Sequence, residues 1–394
     1  RLLVTEGDSV KAGTPLFADK KNAEMVFCSP VSGTVAAIVR GEKRKLLEVR
    51  VQADGKDEHV AFDVPKASSL DKKGMTDLLL RCGLWPVLKQ RPFGTVADPE
   101  AQPKAIFISG FNTAPLAPDY EFSLKDDMAA IQAGVDALAR LTKGGVHLSL
   151  SADNFAGSEL HKLTGVIFHQ FSGPHPAGNV GVQICHVSPI NKGEVVWTVD
   201  LPLVAVVGRL FLKGVYDARR VIAVAGPAAV NPSYVEVPMG VCMGELSRHF
   251  PGGDVRIVSG DVLTGEAVGP DGFLGFGDFQ VSVLHEGGYY EMFGWAKPLR
   301  SKKFSASRAY PAFLRRKLYD MDTNENGGER PFLMNDVYGK VLPMDVYPLH
   351  LFKACLAGDL DKMERLGIYE VIEEDVALCE YVCPSKVGIQ KIVR

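Results

Sequence analysis

The sequence of 394 residues has few cysteines and little net charge. Seven cysteines in a chain of this length are too few and too scattered for the disulfide framework of a small secreted domain, which favours a reducing cytosol. They stand at positions 28, 82, 185, 242, 355, 379 and 383. The formal net charge of −3 offers no basic field for the phosphates of a nucleic acid, so we expect no nucleic acid partner.

Long uninterrupted hydrophobic runs are also lacking. The best candidate, residues 195–216, is broken by Asp200, Pro202 and Arg209, whereas a membrane-spanning helix needs about 20 consecutive apolar residues. The β-branched residues and glycines of this run predict consecutive strands instead. We therefore expect no segment of the sequence to cross a membrane.

Common nucleotide and metal motifs are missing as well. The sequence has no G-x4-G-K-[ST] loop, no G-x-S-x-G elbow and no G-x-G-x-x-G after a predicted strand; Gly275 and Gly277 match only part of the last motif. Its nine histidines include no H-E-x-x-H, and we interpret His169, His175 and His186 as core or loop residues. Neither ATP hydrolysis nor a bound metal ion is predicted.

The composition is otherwise that of a globular protein, with 46% hydrophobic and 23% charged residues. At roughly 150 residues per domain, the length predicts two to four domains. The first residues, RLLVTEGDSV, contain no initiator methionine and already follow a β-rich pattern. We therefore expect an N-terminal segment to be missing from the sequence.

Residues 1–65 are predicted to form a β-sandwich of the biotinyl or lipoyl type. Val, Ile and Leu lie between glycine-containing turns in GDSVKAG, SPVSGTVAAIVRG and LLEVRVQADG. Three glycines would occupy the tight turns: Gly7, Gly13 and Gly33. Four apolar side chains would face the core: Val10, Leu16, Val31 and Val35.

Residues 66–200 are predicted to form a Rossmann-like α/β layer. Residues 105–109 are the continuous apolar run of a buried strand, and residues 146–150 begin the next strand. Between the two strands, apolar side chains recur at helical spacing: Met128, Ile131, Val135, Leu138 and Leu141. This strand–helix–strand unit implies parallel strands covered by helices.

The remaining chain is divided into a β-rich part, residues 201–298, and a helical part, residues 299–394. Strands in LVAVVGRLF, RRVIAVAG, VRIVSGDVLTG and FQVSVLHEGG, with a short helix over 244–249, suggest a β-grasp domain. Beyond Ser301 the sequence turns basic, and later helical pieces place Leu356, Leu360 and Met363 on one face. The predicted fold class is therefore α/β multidomain.

The hairpin after Leu16 contains Lys20 and Lys21 near its tip, where carrier domains hold a modified lysine. Here the centre of the hairpin falls near Asn22 and Ala23, so an unmodified structural sandwich is the preferred interpretation. A lipoyl or biotinyl carrier remains the alternative.

The tail contains Cys379 and Cys383-Pro384, which match the last half of the ferredoxin run C-x2-C-x2-C-x3-C-P. Glu373 and Val376 stand at the first two ligand positions of that run. Two cysteines cannot supply the four thiolates of a [4Fe-4S] cluster, so we interpret the tail as a ferredoxin-like remnant without iron.

The segment RCGLWPVLKQRPFG, residues 81–94, follows an amphipathic stretch and places aromatic beside basic residues. Quinone rings are held by aromatic faces and by donors aimed at carbonyl oxygens, so the segment could line such a site. Alternatively, Trp85 and Phe93 are core residues and the basic side chains face solvent.

Five separated motifs together resemble the A subunit of the sodium-translocating NADH:quinone oxidoreductase. They are GDSVKAGTPLFADKKN, SPVSGTVAAIVRGEKRKLLEV, GLWPVLKQRPFG, DTNENGGERPF and MERLGIYEVIEEDVALCEYVCP, and they cover nearly the whole chain. The resemblance extends to the C subunit of Rnf complexes and to the flavoprotein subunit of complex I. It implies a β-grasp domain of the soluble-ligand-binding type and a C-terminal cluster domain.

The resemblance implies a peripheral subunit on the cytoplasmic face of a bacterial inner membrane, bound to membrane-embedded subunits of a complex that oxidises NADH, reduces a ubiquinone-type quinone and pumps Na⁺. NADH, flavins and Fe-S centres would belong to partner subunits, and this chain would hold no tightly bound cofactor and no catalytic residue. The quinone-facing segment is carried over onto five residues: Trp85, Leu88, Lys89, Arg91 and Phe93.

Two other interpretations stay open. The chain could be an Rnf-like or complex I-like electron-transfer subunit with a flavin or an Fe-S cluster. It could also be a purely structural scaffold without contact to quinone.

Overall fold

The computed structural model describes residues 1–294, 304–305 and 319–394. Within these ranges the chain forms four hydrogen-bonded sheets, followed by a group of short helices. The predicted α/β multidomain class is therefore confirmed. No helix in the described part of the chain is long and apolar enough to cross a lipid bilayer.

The N-terminal module consists of two small antiparallel sheets, ordered β1-β4-β5 and β2-β3. Val10, Leu16 and Val35 are buried as predicted, whereas Val31 is only half-buried. Gly33 is required by a close approach, because a Cβ at this position would overlap with the carbonyl oxygen of Gln52. The strands are β1 (Ser9–Val10), β2 (Pro15–Ala18), β3 (Val26–Cys28), β4 (Gly33–Arg40) and β5 (Leu46–Ala53).

The second module is a six-stranded mixed sheet with helices packed on it. Its elements are α1 (Lys72–Arg81), β6 (Lys89–Arg91), β7 (Thr95–Val96), β8 (Ile106–Ser109), α2 (Tyr120–Ser123), α3 (Met128–Leu138), β9 (Val146–Ser151), β10 (Val166–Phe171), α4 (Val180–Val187), β11 (Val196–Thr198) and α5 (Leu201–Lys213). The strand order is β10-β9-β8-β11-β6-β7. The first four strands are parallel, β6 is antiparallel to β11, and β7 is antiparallel to β6. The predicted strand–helix–strand unit of β8, α3 and β9 is therefore confirmed.

The prediction of a strand in LVAVVGRLF is wrong, because this segment lies in helix α5. Asp200 precedes the helix, Pro202 stands in its first turn, and Gly214 ends it in the left-handed conformation. The first ten of its 13 residues are buried, and the run 203–207 among them is continuously apolar and rich in valine, which favours a strand when the sequence is read alone. The β-rich part therefore does not begin at residue 201, because α5 belongs to the second module and packs against α3.

Helices α3 and α5 cross at two glycines. A Cβ at Gly134 would overlap with the carbonyl oxygen of Val204, and a Cβ at Gly208 would overlap with that of Ala130. The two backbones are thus in direct contact, which permits a larger side chain at neither position.

The third module contains a five-stranded mixed sheet in the order β13-β12-β16-β14-β15, in which β12 and β16 are parallel. The predicted short helix is a 3₁₀ helix over Met243–His249, and the strands predicted in RRVIAVAG, VRIVSGDVLTG and FQVSVLHEGG are present. The sequence pattern missed β13. The strands are β12 (Arg219–Ala225), β13 (Ser233–Pro238), β14 (Val255–Ser259), β15 (Glu266–Val268) and β16 (Gln280–His285).

The C-terminal module is helical, with α6 (Pro348–Ala357), α7 (Leu360–Arg365), α8 (Ala377–Val382) and α9 (Ile389–Val393). Its predicted start at residue 299 and most of the basic stretch after Ser301 lie outside the described residues. The predicted apolar face is wrong: Gly358 ends α6, so Leu356 and Leu360 lie in different helices and both are exposed. The core is formed by residues that include Leu351, Phe352, Val376, Cys379 and Ile389.

Candidate functional site

The candidate site lies in the second module, at the carboxyl ends of β8 and β11. Strands β8, β9 and β10 follow one another in one direction across the sheet, and β11 returns to pair with the other side of β8. In open sheets with parallel strands, ligands bind in the crevice outside such a reversal of strand order.

An ion pair between Asp200 and Lys89 stands at this crevice. Asp200 follows β11 directly, Lys89 opens the antiparallel strand β6, and the Lys89 Nζ atom lies 3.5 Å from Asp200 Oδ2. Both side chains are only half-buried. Asp200 raises the pKa of Lys89 against the opposing effect of burial, with further contributions from Glu374 and Asp278. Lys89 is therefore a permanent cation that faces three carboxylates at neutral pH.

A loop of the third module, residues 275–278, closes one side of the crevice. Arg220 of β12 holds this loop by donating to the carbonyl oxygens of Phe276 at 2.7 Å and Gly275 at 2.9 Å. Burial lowers the pKa of Arg220 to about 10, with Asp278 acting in the opposite direction. A Cβ at Gly277 would lie 3.5 Å from Lys89 Nζ, so the loop approaches the ammonium group closely. Gly277 thus stands at a contact between modules.

The floor of the crevice is polar and buried. Ser109, at the end of β8, accepts a 2.9 Å hydrogen bond from the amide of Gln183 of α4, which also donates to the carbonyl oxygen of Ala177. Tyr120 of α2 is buried nearby, and burial together with Asp200 raises the pKa of its hydroxyl group. These groups can donate and accept hydrogen bonds, but none is placed as an activated nucleophile beside a base.

The structure does not bring together the five residues that the sequence assigned to a quinone-facing segment. Trp85 and Leu88 are buried in the core. The indole N–H of Trp85 donates to the carbonyl oxygen of Ala97 at 2.8 Å, and the indole ring packs edge-on against that of Trp197. Neither side chain presents a surface to a ligand in this structure. Among the five, the accessible side chains are those of Lys89, which pairs with Asp200, and Phe93, which lies in the turn after β6 and is exposed.

Arg91, the last residue of β6, is buried and joins the sheet to the C-terminal module. Its guanidinium group donates to Asp375 at 2.7 Å and also pairs with Glu374. Burial would lower the pKa of Arg91, but the two carboxylates raise it. Gly181 of α4 makes room for this pair, because a Cβ there would overlap with both Arg91 and Asp375. Arg91 is therefore a structural residue in this arrangement.

The two cysteines of the truncated cluster motif are buried in the apolar core of the C-terminal module. The Cys383 thiol lies 3.1 Å from the hydroxyl group of Tyr338, and the Cys379 thiol lies 3.8 Å from the Tyr338 carbonyl oxygen. Burial raises the pKa of Cys379 to about 12, so this group is a thiol and not a thiolate at neutral pH. Val376, at one of the missing ligand positions, packs in the same core.

The segment that precedes β6 is closely packed. Cys82, Leu84, Trp85, Val87 and Leu88 are all buried, and Gly83 touches the N-terminal module, since a Cβ there would overlap with the thiol of Cys28. Bulky side chains therefore occupy the loop, and its backbone is not open to a phosphate group.

The histidines and hairpin lysines named from the sequence have separate local roles. His169 pairs with His147 at 2.8 Å, His175 contacts Thr113, and the His186 Nδ1 atom lies 2.8 Å from a main-chain carbonyl oxygen. Lys20 and Lys21 are exposed in the β2–β3 turn.

That turn is fixed by Asp19, whose carboxylate accepts hydrogen bonds from the backbone of Asn22 and Lys21 and consequently has a lowered pKa. The centre of the hairpin thus falls near Asn22, as predicted, and not on either lysine.

Sequence reasoning missed Asp200, Arg220, Asp278 and Glu374, which surround Lys89 and the loop that faces it. Asp200 could have been found, because an acidic residue directly after a buried parallel strand points to the carboxyl edge of the sheet. The other three come from distant segments, and nothing in the local sequence indicates their position.

Family models of three domains match the chain. The "NqrA N-terminal barrel-sandwich hybrid domain" matches residues 1–54, the "NqrA second alpha/beta domain" residues 70–216, and the "NQRA C-terminal domain" residues 221–269. The second of these matches extends to residue 216 and so includes α5.

Curated relatives match over nearly the full chain. The A subunit of the Na(+)-translocating NADH-quinone reductase of Yersinia pestis bv. Antiqua (strain Angola) is 39% identical over 398 residues, which cover 100% of this chain and 88% of the relative. The protein of the same name from Vibrio atlanticus (strain LGP32) is 40% identical over 98% of this chain and 87% of its own length.

Solved structures resemble the chain only weakly. A chain of an NAD+-reducing [NiFe]-hydrogenase in the air-oxidised state has a TM-score of 0.40 at 15% identity and covers 56% of this chain and 47% of its own. Its H2-reduced form has a TM-score of 0.34, with coverage of 47% and 41%. Scores this low establish no common fold.

Proposed function

Because this chain belongs to the family of A subunits of Na(+)-translocating NADH-quinone reductases, which confirms the resemblance predicted from its sequence, we propose that it serves as the peripheral, non-redox subunit of such a complex. The complex would oxidise NADH, reduce a ubiquinone-type quinone and move Na⁺ out of the cytoplasm. The chain would dock on the cytoplasmic face against the membrane-embedded subunits.

Two segments support the absence of a redox centre in this chain: the cysteine motif near the C-terminus and the loop before β6, both of which are packed with the chain's own side chains. A [4Fe-4S] cluster requires four thiolates, whereas the motif offers Cys379 and Cys383, both buried against Tyr338. A flavin phosphate requires open backbone N–H groups, whereas Trp85 and Leu88 fill the corresponding loop. Flavins, Fe-S centres and the site of NADH oxidation would then belong to other subunits.

The proposed quinone contact is limited to Lys89 on strand β6 and to Phe93 in the turn that follows it. Lys89 carries a cation that can donate to a quinone carbonyl oxygen, and Phe93 offers an exposed aromatic face in the following turn. Trp85, Leu88 and Arg91 would act only by positioning this strand, because their side chains are buried. The exposure of Phe93 next to a half-buried lysine is the observation that carries this proposal.

The first test is the visible spectrum and activity of the purified chain. We expect a colourless protein without flavin or cluster bands, which does not oxidise NADH. In the assembled complex, Cys379→Ala together with Cys383→Ala is expected to leave turnover unchanged if the chain folds. A coloured chain, or loss of electron transfer by a folded double variant, would favour the Rnf-like or complex I-like alternative.

The second test separates a quinone contact from a scaffold. Phe93→Ala in the assembled complex is expected to raise the KM for quinone several-fold while kcat for NADH oxidation changes little. Leu212→Ala, an exposed apolar residue at the far end of α5, is the matched control and should leave both parameters unchanged. Unchanged kinetics in the Phe93 variant would support a purely structural role.

A further inference from the structure

A cleft in the C-terminal module lies between α6 and α7 and uses none of the residues of the site at β6. Its volume is about 470 Å³, which is the size of a small-ligand site and too large for a single ion. It is lined by positions 350, 353, 354 and 357 of α6 and by positions 362, 365 and 366 at α7. Residues three, four and seven positions apart lie on one face of a helix, so each helix presents one face to the cleft.

The polar part of the lining is mostly basic. Its basic side chains are those of His350, Lys353, Lys362 and Arg365. Among the described residues that line the cleft, Asp359 alone is acidic. The chain as a whole has a formal net charge of −3, so this concentration of cations is a local feature.

Asp359 is already neutralised by one of these cations. Its carboxylate lies 2.7 Å from the Lys362 Nζ atom and accepts a 3.1 Å hydrogen bond from the Lys362 backbone N–H, and these contacts lower the pKa of Asp359. Glu364 of α7 pairs with Lys192 at 2.8 Å, and Asp361 also acts on Lys192. The carboxylates on and beside α7 are therefore engaged by Lys362 and Lys192.

Lys353 and Arg365 keep their charges unpaired, because within the described part of the chain neither forms an ion pair with a carboxylate. The Lys353 Nζ atom lies 2.8 Å from the thioether sulfur of Met334, which is a weak acceptor and carries no charge. Arg365 is exposed and offers the planar fork of N–H donors of its guanidinium group. Lys353 and Arg365 are therefore the cations that a ligand can neutralise.

We propose that the cleft binds a small organic phosphate. Lys353 and Arg365 hold the phosphate group, and the organic part packs on Ala354, Ala357 and Leu366. A phosphate monoester carries a charge of roughly −1.5 to −2 at neutral pH, which matches the unpaired cations better than the single charge of a carboxylate does. The guanidinium group binds phosphate in a bidentate manner, and the lysine adds a point charge. This inference goes beyond the proposed function, because it assigns the chain a ligand site outside the site at β6.

The test is isothermal titration calorimetry of the full chain with phenyl phosphate, which combines a phosphate group with a small apolar ring. We expect a Kd below about 1 mM at low salt and weaker binding as salt is raised. Inorganic phosphate, which lacks the apolar part, and benzoate, which carries less charge, should each bind at least about tenfold more weakly. Benzyl alcohol, which is neutral, should show no binding.

Two substitutions of Arg365 separate charge from geometry. Arg365→Gln removes a cation at an exposed position, so it should leave folding intact and weaken the binding of phenyl phosphate about tenfold or more. Arg365→Lys keeps the charge but loses the bidentate geometry and should have a smaller effect. Lys353→Gln should act in the same direction as Arg365→Gln, and the double variant should lose measurable binding.

The matched control is Lys66→Gln together with Arg140→Gln. This pair removes two exposed cations from another cleft, of about 630 Å³, beside α3, and it changes the net charge by the same amount as the double variant at Lys353 and Arg365. The control should bind phenyl phosphate within about twofold of the unmodified chain.

Absence of phenyl phosphate binding would overturn the proposal, as would equal affinity for benzoate or inorganic phosphate, or equal losses in the two double variants. The proposed function is tested separately by the spectrum of the chain and by the quinone kinetics of the assembled complex. Neither measurement involves this cleft, so each proposal can fail without the other.

Discussion

Replacement of Arg91 by Met is expected to destabilise the joint between the second module and the C-terminal module strongly. The Arg91 guanidinium group is buried and lies 2.7 Å from Asp375, which is itself buried, with Glu374 as a second partner. Removal of the cation leaves the Asp375 carboxylate buried without its counter-charge. Asp375 keeps one hydrogen bond, a 3.0 Å bond from the backbone N–H of Ile372, so it must either stay charged at high cost or take up a proton.

The loss in free energy of unfolding depends on which charged partner each substitution leaves buried. Breaking a buried pair by removing one partner costs about 3–5 kcal/mol, so Arg91→Met and Asp375→Leu should each reduce the free energy of unfolding by roughly this amount. The double variant replaces the pair by apolar side chains and leaves Glu374, which is partly exposed and can hydrate. We expect it to lose about 2 kcal/mol less than the sum of the two single changes.

Urea unfolding measures these differences, with the fluorescence of Trp85 and Trp197 as the signal from the sheet beside β6. Lys192→Met is the matched control, because Lys192 pairs with Glu364 at 2.8 Å across the same two modules but is exposed, and its loss should reduce stability far less than the loss of Arg91. If Arg91→Met costs no more than Lys192→Met, or if the two single losses simply add, the pair does not hold the modules together.

Two further predictions concern Asp217, just after α5, and the contact of α5 with α3. Burial alone would raise the pKa of Asp217, but hydrogen bonds from Arg219 and Lys213 lower it. Its contribution to stability is therefore present above the ordinary aspartate pKa of about 4 and is lost as pH falls through the lowered value; Asp217→Asn should flatten the acidic limb of a plot of Tm against pH. Gly208→Ala would force α5 away from a main-chain carbonyl group of α3 and should cost about 2 kcal/mol or more, whereas Gly339→Ala, with open space around its Cβ position, should change unfolding by less than about 0.5 kcal/mol.

Two kinds of element were predicted correctly from the sequence: helices that are buried on one face only, and short strands that are mainly apolar. Ile106–Ser109 is a short apolar strand, and Met128–Leu138 shows a clear helical period because one face of α3 remains accessible. Helix α5 was missed because its ten buried residues contain the continuous apolar run 203–207. A run of β-branched residues then favours a strand, and only Pro202 and Gly214 indicate the helix.

The candidate site was less predictable than the fold because its charges come from remote segments. The residues of the Arg91–Asp375 pair are separated by 284 positions in the sequence, and no local pattern relates them. Trp85 and Leu88 were placed in a quinone-facing segment by the family resemblance, while the residues alone also allowed Trp85 to be a core residue. In the structure Trp85 and Leu88 are buried in the core and Arg91 is buried against the C-terminal module, whereas Lys89 and Phe93 are accessible.

Strand β6 connects the candidate surface to the joint between modules. Lys89 and Arg91 are two residues apart and therefore project from the same face of the strand. Glu374 acts on both cations: it pairs with Arg91 and contributes to the raised pKa of Lys89. Docking of the C-terminal module, which requires Arg91 to neutralise Asp375, thus also places the negative charge of Glu374 beside Lys89. Release of the C-terminal module would remove Glu374 and leave Lys89 paired with Asp200, so a variant that loosens the joint should alter the charge around Lys89 even when β6 itself is intact.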